Sequence, residues 1–241
     1  MLIYYMEFCG LQKTSLIDFP GKVSAIIFLG GCNFRCGFCY SSELVLPTKL
    51  NNQPRFPKEY VMNFLKERQG QLDGVVICGG EPTINPDLPE LIKEIKDMGF
   101  LVKLDTNGTN PAMLKSLIES NLIDYAAMDI KGPKEKYCQI AGSNIDINLI
   151  QESIDILKNS ELDFEFRTTV VPNFIDQQDI KNMAQWISQD KPGQLKYYLQ
   201  NFFPNKTLDP EFEKLHPYSL SDLKQVQQEI SPLFKHCGLR G

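Results

Sequence analysis

Residues 22–40 read KVSAIIFLGGCNFRCGFCY, and this stretch decides the fold. Its apolar, β-branched beginning predicts a strand that is buried on both faces. Two glycines follow the strand, and three cysteines, Cys32, Cys36 and Cys39, then stand within eight residues. The stretch therefore predicts a buried strand with a cysteine-rich loop at its carboxyl end.

Five further runs of the same kind follow along the chain, and helical patterns separate them. The six predicted strands cover residues 22–29, 74–78, 100–106, 124–130, 163–171 and 195–202. The six predicted helices cover residues 57–68, 88–98, 111–120, 148–159, 177–189 and 219–234. This alternation implies an α/β fold of parallel strands with outer helices and right-handed crossovers. Because six units are too few for a closed eight-stranded barrel, we expect a partial (β/α)6 barrel, open along one edge.

The remaining segments are loops rather than linkers. Residues 42–57 and 204–217, which are rich in turn-forming residues, predict two long loops, and no linker divides the chain. We therefore expect a single domain over residues 1–241, with a core at about residues 20–203 and a C-terminal helical extension at about residues 204–241.

The composition excludes several classes of protein. Of the 241 residues, 42% are hydrophobic and 23% are charged, as in an ordinary folded protein, and the net charge of -5 does not favour a nucleic acid partner. The longest apolar stretch, residues 23–29, is far shorter than the ~20 residues of a spanning helix, and no leader precedes it. We expect no membrane association and a cytoplasmic location, where seven cysteines would not form a disulfide framework.

Three thiols in one short loop predict a metal centre. Iron–sulfur clusters and structural zinc sites both ordinarily take four such ligands, so a local set of three suggests a position open to an exogenous ligand. A zinc site completed by a remote residue is the alternative, although the only histidines, His216 and His236, lie near the far end of the chain. The dense spacing disfavours three unrelated buried thiols.

The later predicted strands also end in polar residues, which parallel topology would gather at one edge. These are Gly79, Gly80, Glu81, Asp105, Thr106, Asn107, Asp129, Lys131, Arg167 and Gln200. Taken alone, the segments at residues 79–83 and 105–108 are typical of turns, and Asp129 with Lys131 is typical of a surface ion pair. Arg167 needs an anionic partner, which is either a carboxylate of a ligand or a structural partner, Glu165 or Asp129.

The cysteine loop, with Phe38 before its last cysteine, resembles that of the radical S-adenosylmethionine superfamily. The resemblance implies that Cys32, Cys36 and Cys39 hold three irons of a 4Fe-4S cluster and that S-adenosylmethionine chelates the fourth. Reductive cleavage of this cofactor would give methionine and a 5′-deoxyadenosyl radical. The partial barrel is also the fold for which that superfamily is known.

The same resemblance implies roles for the residues at the strand ends. Residues 79–81 match the segment that holds the amino group of S-adenosylmethionine. Asp105, Thr106, Asp129 and Lys131 match the branch that activates glycyl radical enzymes, where the aspartates and the threonine help to form a site for a monovalent cation and the cofactor and the lysine lies near the cofactor. The full set of implied cofactor-binding residues is Phe38, Gly79, Gly80, Glu81, Asp105, Thr106, Asn107, Asp129, Lys131, Arg167 and Gln200, with Gln200 against the adenine. The three cysteines and Lys131 are the implied catalytic residues.

Residues 15–21, the cysteine loop, residues 128–131 and residues 166–169 are together similar to the activating proteins of anaerobic ribonucleoside-triphosphate reductase. Tyr40 departs from this pattern, because many relatives carry histidine there. The implied activity is removal of an α-hydrogen from one glycine of a class III ribonucleotide reductase, with a flavodoxin- or ferredoxin-type protein as electron donor.

Three alternatives stay open at this stage. The substrate could be another glycyl radical enzyme, such as pyruvate formate-lyase. It could be a small molecule, as for 7-carboxy-7-deazaguanine synthase, because the residues that contact substrate have no portable motif. The chain could also be a non-catalytic module that keeps a cluster or zinc as a structural element.

Overall fold

A computed structural model describes residues 6–53 and 55–240 of the chain. Its eight strands form one sheet in which each strand pairs with the next along the chain. The strands are β1 (Phe8–Ser15), β2 (Ser24–Leu29), β3 (Gly74–Gly79), β4 (Leu101–Thr106), β5 (Tyr125–Asp129), β6 (Asp163–Val170), β7 (Lys196–Asn201) and β8 (His236–Arg240). The pair β1–β2 is antiparallel, and every later pair is parallel.

The helices lie mainly between consecutive strands. They are α1 (Ser42–Val45), α2 (Pro47–Leu50), α3 (Lys58–Glu67), α4 (Leu88–Asp97), α5 (Pro111–Glu119), α6 (Tyr137–Ala141), α7 (Ile147–Lys158), α8 (Gln177–Ser188) and α9 (Leu220–Ile230). Local side chains fix several starts: Asn110 accepts from the amide of Met113 ahead of α5, and Asp176 with Asp179 forms a capping box at α8. Within residues 6–53 and 55–240, no helix has the length and apolar character needed to cross a membrane.

The α/β architecture predicted from the sequence is confirmed. The six predicted strands correspond to β2 through β7, and the six predicted helices correspond to α3, α4, α5, α7, α8 and α9. The predicted helix over residues 219–234 ends earlier, at Ile230, and a short 3-10 turn at Ser231–Leu233 follows it. Pro232 has no amide proton to continue the α-helical hydrogen bonds.

The prediction of six strands was incomplete, because the sheet has one further strand at each edge. β1 mixes apolar with polar residues, and β8 is five residues long with a central glycine, so neither contains the apolar run that marks the other strands. The C-terminal extension is therefore not only helical, because it adds β8 to the sheet beside β7. The predicted loop at residues 42–57 contains α1 and α2, and the one at residues 204–217 contains a 3-10 turn at Pro210–Lys214.

Side chains alternate between two apolar clusters. On β2, Ala25, Ile27 and Leu29 belong to the large core between the sheet and the helices, whereas Ile26 belongs to a small cluster on the other face. Phe19 and Tyr125 lie in this inner cluster with their ring centroids 6.0 Å apart. The inner face is thus apolar towards the amino ends of the strands.

The sheet curls around this inner face. Arg167 on β6 reaches past β5 to form an ion pair with Asp105 on β4. In the part of the chain that the structure describes, β1 pairs with no strand other than β2, and β8 with none other than β7, so the barrel is open between its outer strands.

Candidate active site

The carboxyl ends of β2 through β7 surround a cavity of about 290 Å³. Every site residue predicted from the sequence lies on its wall: Cys32, Cys36, Phe38, Cys39, Gly79, Gly80, Glu81, Asp105, Thr106, Asn107, Asp129, Lys131, Arg167 and Gln200. The wall also contains residues that the sequence did not single out for this purpose: Phe28, Phe34, Tyr40, Ser41, Val45, Cys78 and Thr169. Cys78, near the end of β3, thus faces the cavity.

The cysteine loop folds tightly after β2. The amide of Phe34 donates to Cys32 Sγ at 3.3 Å, and the amide of Cys39 donates to the carbonyl oxygen of Cys36 at 3.1 Å. Burial raises the pKa of the Cys32 thiol to about 12 and that of Cys36 to about 11. Both free thiols are therefore protonated at neutral pH, and binding of a metal centre must release these protons.

Helix α6, which is only five residues long and was not predicted from the sequence, supports one side of this loop. The amide of Arg35 donates to the carbonyl oxygen of Ala141 at 2.8 Å, and Ser143 Oγ donates to the carbonyl oxygen of Asn33 at 3.1 Å. The edge of the Tyr137 ring packs against Phe34. The position of the loop is thus coupled to a segment more than 100 residues further along the chain.

The segment after β4 supports the other side of the loop. Asn33 Nδ2 donates to Thr109 Oγ1 at 2.7 Å, and Asn33 Oδ1 accepts from Asn107 Nδ2 at 2.9 Å. One asparagine side chain therefore joins the cysteine loop to the residues that follow β4.

The two glycines after β3 allow a close contact between backbones. The amide of Gly80 donates to the carbonyl oxygen of Leu29 at 2.8 Å, and the amide of Glu81 donates to that of Gly31 at 2.7 Å. A Cβ atom at Gly80 would lie 1.8 Å from the carbonyl oxygen of Gly31, so no side chain fits there. The closest neighbours of both glycines are backbone atoms, those of Leu29 at the end of β2 for Gly79 and those of Gly31 in the cysteine loop for Gly80.

The Glu81 carboxylate organises the surrounding loops. Glu81 is 1% exposed. Its Oε1 accepts from the Thr83 amide (3.1 Å), Thr83 Oγ1 (2.6 Å) and Thr106 Oγ1 (2.7 Å), and its Oε2 accepts from the amide of Asn107 (2.6 Å). Burial raises the pKa of Glu81 above its usual value, although these hydrogen bonds act in the opposite direction. The carboxylate thereby fixes residues 106 and 107 at the cavity wall.

A chain of alternating charges crosses the inner face below the cavity mouth. Lys103 pairs with Asp105, whose second oxygen accepts from Arg167 Nη1 at 2.9 Å. Arg167 Nε also donates to Asp129 Oδ1 at 2.9 Å, and Asp129 Oδ2 accepts from Lys131 Nζ at 3.0 Å. Although burial alone would raise the pKa of Asp129, the positive charges of Arg167 and Lys131 hold it well below its usual value.

The structure decides between the two structural partners considered for Arg167. Glu165 pairs instead with Arg240, which reaches it from β8 with two hydrogen bonds of 2.6 and 2.8 Å. Tyr125 also donates its hydroxyl to Glu165, at 2.9 Å. Arg167 therefore pairs with Asp105 and Asp129. The ion pair of Asp129 with Lys131 lies in the cavity wall.

The segment after β7, which was predicted to be a loop, covers the outside of the cysteine loop. The ring of Phe212 stacks on Phe174 with centroids 4.8 Å apart and lies 6.3 Å from the ring of Phe38. The amide of Asp209 donates to the carbonyl oxygen of Gly37 at 2.9 Å. We call residues 202–215 the covering segment, because it shields this side of the loop.

Tyr40 occupies the position at which many relatives carry histidine, and it also contacts the covering segment. Its hydroxyl accepts from the amide of Phe203 at 2.6 Å, and its ring stacks on Phe202 with centroids 6.0 Å apart. The tyrosine therefore joins the end of the cysteine loop to the exit of β7.

The donor set fits an iron–sulfur cluster better than a single metal ion. In the described ranges, no group of three or more histidine, cysteine, aspartate or glutamate side chains could hold one metal ion. A structural zinc site ordinarily takes four ligands around one ion, whereas the cysteine loop offers three thiols. Three thiolates that each bind a different iron of a cluster need not meet at one point, and soft sulfur ligands suit such clusters.

Comparison with known families agrees with this chemistry. Residues 26–187 match the model of the radical SAM superfamily. The chain belongs to this superfamily. Membership identifies it as a radical SAM enzyme and implies a 4Fe-4S cluster and S-adenosylmethionine as its cofactors.

Two curated relatives differ in what their names say. A protein of Methanocaldococcus jannaschii with the provisional name glycyl-radical enzyme activating enzyme is 37% identical over 223 residues, covering 90% of this chain and 88% of the relative. A 7-carboxy-7-deazaguanine synthase of Neisseria meningitidis serogroup B is 33% identical over 116 residues, covering 46% of this chain and 45% of the relative. The similarity to the first relative extends over nearly the whole chain.

Two solved structures share the fold. A domain of the pyruvate-formate lyase-activating enzyme of Bacteroides vulgatus has a TM-score of 0.55 at 17% identity, covering 70% of this chain and 99% of that domain. Streptococcus suis SuiB, bound to its precursor peptide SuiA, has a TM-score of 0.64 at 16% identity, covering 90% of this chain. This chain spans about half the length of SuiB, with 48% of it covered.

Proposed function

We propose that the protein is an activating enzyme that generates a glycyl radical on an anaerobic, class III ribonucleoside-triphosphate reductase. The observation that carries the proposal is that three thiols and the polar ends of five neighbouring strands face one cavity. The name of the Methanocaldococcus relative, which matches 90% of this chain, favours a glycyl radical enzyme as the substrate. The choice of the reductase rests on the sequence resemblance.

Cys32, Cys36 and Cys39 are the proposed ligands of the cluster. With the cluster and S-adenosylmethionine bound, these residues would hold the groups that supply one-electron reductive cleavage of S-adenosylmethionine and removal of a hydrogen atom from the glycine Cα. The chain holds these thiols in place through α6 on one side and Asn33 with its partners on the other.

The cavity offers positive charge for the carboxylate of S-adenosylmethionine. Lys131 uses one of its three N–H donors on Asp129, so two remain. Burial lowers the pKa of Lys131, but the negative charge of Asp129 and the hydrogen bond to it raise the pKa by more, so the side chain stays protonated. We assign Lys131 to the carboxylate, and Gln200 on β7 to the adenine.

Glu81, Thr106 and Asn107 are proposed to shape the remainder of the cofactor site. The Glu81 carboxylate fixes Thr106, the last residue of β4, and Asn107, and Asn107 in turn donates to Asn33 of the cysteine loop. Gly80 keeps the end of β3 close to the same loop, and Gly79 keeps it close to Leu29 of β2. The cofactor site and the cysteine loop are therefore connected by hydrogen bonds. The ring of Phe38 forms an aromatic part of the cavity wall.

The whole chain is proposed to act as a single domain in the cytoplasm. A flavodoxin- or ferredoxin-type protein is the proposed source of the electron. Such a donor and an oxygen-sensitive cluster both suit a reducing compartment, where the seven cysteines, all free among the described residues, stay reduced.

Electron paramagnetic resonance on the complete system tests the proposal. The protein is reconstituted anaerobically and incubated with reductant, S-adenosylmethionine and the class III reductase of the same organism. A glycine-centred doublet is expected, and Cys36→Ala is expected to abolish it. Cys138→Ala, which removes an exposed thiol outside the loop, is the matched control and should keep the doublet.

A small-molecule substrate is the second candidate, favoured by the similarity to the Neisseria 7-carboxy-7-deazaguanine synthase. Formation of 5′-deoxyadenosine without a glycyl doublet would contradict the reductase as substrate. Pyruvate formate-lyase would then be tested for the same doublet, and small substrates would be tested by their effect on the rate of 5′-deoxyadenosine formation.

A further inference from the structure

The two aspartates at the ends of β4 and β5 share one guanidinium group. Arg167 Nη1 donates to Asp105 Oδ2 and Arg167 Nε donates to Asp129 Oδ1, both at 2.9 Å. The other oxygen of Asp105 accepts from Lys103, and the other oxygen of Asp129 accepts from Lys131. Each of the four carboxylate oxygens is thus engaged by a cation that belongs to the chain.

The balance of charge in this group is positive. Three cationic side chains face two carboxylates, and two of the cations are shielded from water, with side-chain exposures of 2% for Lys103 and 13% for Arg167. The next carboxylate on the inner face, Glu165, is occupied by Arg240. A further cation placed between Asp105 and Asp129 would be repelled by three fixed charges, and the repulsion is stronger where water is excluded.

The neighbouring hydroxyl is also engaged. Thr106 Oγ1 donates to Glu81 Oε1 at 2.7 Å and accepts from the amide of Gly108 at 3.1 Å. Asp105, Thr106 and Asp129 are the side chains at which the family resemblance implies a monovalent cation. Their oxygens already have partners within the chain, so the residues present do not fit such an ion.

We propose that the guanidinium of Arg167 is the built-in counter-cation of Asp105 and Asp129, so that S-adenosylmethionine binds without a monovalent metal cation at this position. Arg167 is in this respect a positioning residue: it fixes both aspartates, and through Asp129 it orients Lys131 towards the cavity. The inference rests on the proposed function only in taking S-adenosylmethionine as the ligand of the cavity.

Removal of the guanidinium should create the cation requirement that the wild-type chain lacks. In Arg167→Gln, two neighbouring carboxylates lose the charge between them, and a potassium or sodium ion can then replace it. Arg167→Lys keeps one positive charge in the same place and should therefore remain independent of added cations. A purely structural role for Arg167 would not produce this difference.

Binding of S-adenosylmethionine to the reconstituted protein is measured by calorimetry in potassium, sodium or choline chloride at equal ionic strength. The wild-type affinity should agree within about twofold in the three salts, whereas the affinity of Arg167→Gln should be more than about fivefold higher in potassium or sodium than in choline. Arg68→Gln, which removes an exposed arginine that is not part of the cavity wall, is the matched control and should behave as the wild type does.

Thermal unfolding of the cluster-free protein in the same salts gives a second measurement that needs no cofactor. Potassium or sodium should raise the midpoint of Arg167→Gln relative to choline and leave the wild type unchanged. A saturable potassium dependence of the wild type in either measurement would overturn the inference, even if Arg167→Gln does not fold. Absence of cation dependence in a folded Arg167→Gln would also overturn it. Failure of the wild type to bind S-adenosylmethionine would instead contradict the proposed function. The unfolding measurement would then still decide whether Arg167 replaces a metal cation.

Discussion

Gly142, directly after α6, lies against the backbone of Arg35 in the cysteine loop. A Cβ atom at Gly142 would be 2.2 Å from the carbonyl oxygen of Arg35, and the φ angle of +63° is in the left-handed region that favours glycine. The residue before it, Ala141, accepts the amide of Arg35 at 2.8 Å. The placement of the cysteines thus depends on a glycine that carries no functional group.

Gly142→Ala should therefore reduce cluster binding as well as stability. The left-handed conformation alone costs about 1–2 kcal/mol for an alanine, and the contact with Arg35 must also be relieved by a shift of the loop. Gly70→Ala is the matched control, because Gly70 has a φ of +77° but no atom within 4 Å of its added Cβ. Urea unfolding should show a loss in both variants, but iron and sulfide analysis after reconstitution should show a loss only in Gly142→Ala. Equal iron contents would contradict the coupling between α6 and the cysteine loop.

Glu81→Gln should destabilise the cluster-free protein by about 2–3 kcal/mol, because hydrogen bonds to a buried carboxylate are lost. The amide group has the same shape, but its NH2 would face a hydrogen-bond donor in either orientation, either Thr106 or the amide of Asn107. Chemical unfolding measures the difference. Glu59→Gln, at an exposed position in α3, should change the stability by less than about 0.5 kcal/mol. A change of similar size in both variants would show that the four hydrogen bonds to Glu81 contribute little.

The sequence predicted the central six strands and the location of the site for physical reasons that act locally. Runs such as residues 24–29 are apolar on both faces, which is the pattern of a strand buried between helices and an inner core. Parallel strands bring their carboxyl ends to one edge, so residues as distant as Cys32 and Gln200 could be expected on one cavity wall. Neither conclusion requires knowledge of individual contacts.

What the sequence could not predict depends on curvature and on long-range contacts. Arg167 had two candidate structural partners, and its contact with Asp105, two strands away, exists only because the sheet curls. β8 is short and gains its stability from pairing with β7, and Phe212 packs on a residue more than 170 positions earlier, Phe38. No periodicity within a segment encodes such contacts.

Asp129→Asn should destabilise the cluster-free protein in a pH-dependent manner. Because Arg167 and Lys131 lower the pKa of Asp129 below its ordinary value of 3.8, its charge stabilises the fold fully above that pH and less as the pH falls below it. At neutral pH we expect a loss of about 2 kcal/mol, less than the about 3–5 kcal/mol of a fully buried pair, since Asp129 is 28% exposed.

The test is urea unfolding of wild type and Asp129→Asn between about pH 3 and about pH 7, the range across which an aspartate changes its charge. The difference in unfolding free energy should be constant above 3.8 and should shrink at lower pH. The exposed Asp97→Asn serves as the control and should stay within about 0.5 kcal/mol of the wild type. If the difference in unfolding free energy between wild type and Asp129→Asn stays constant down to about pH 3, Asp129 acts through packing and not through charge.

Phe212→Ala should make the cluster more sensitive to air. The Phe212 ring lies so close to Gly37 that a Cβ atom there would be 2.3 Å from it, and it packs on Phe38 in the cavity wall. Loss of this apolar cover gives water and oxygen access to the loop between Cys36 and Cys39, since the apolar surroundings of a metal site control access of solvent. The effect on stability should be about 1–2 kcal/mol, below the about 3–5 kcal/mol of a fully buried phenylalanine.

The rate at which the cluster's visible absorbance decays in air measures this protection. Phe203→Ala is the control, because Phe203 belongs to the same covering segment, is 65% exposed and contacts Tyr40 through its backbone amide. We expect a faster decay in Phe212→Ala and an unchanged rate in Phe203→Ala, with equal iron contents at the start. If both variants decay at the wild-type rate, the covering segment does not protect the cluster, and its contacts with Gly37 and Phe38 serve only to hold the loop in place.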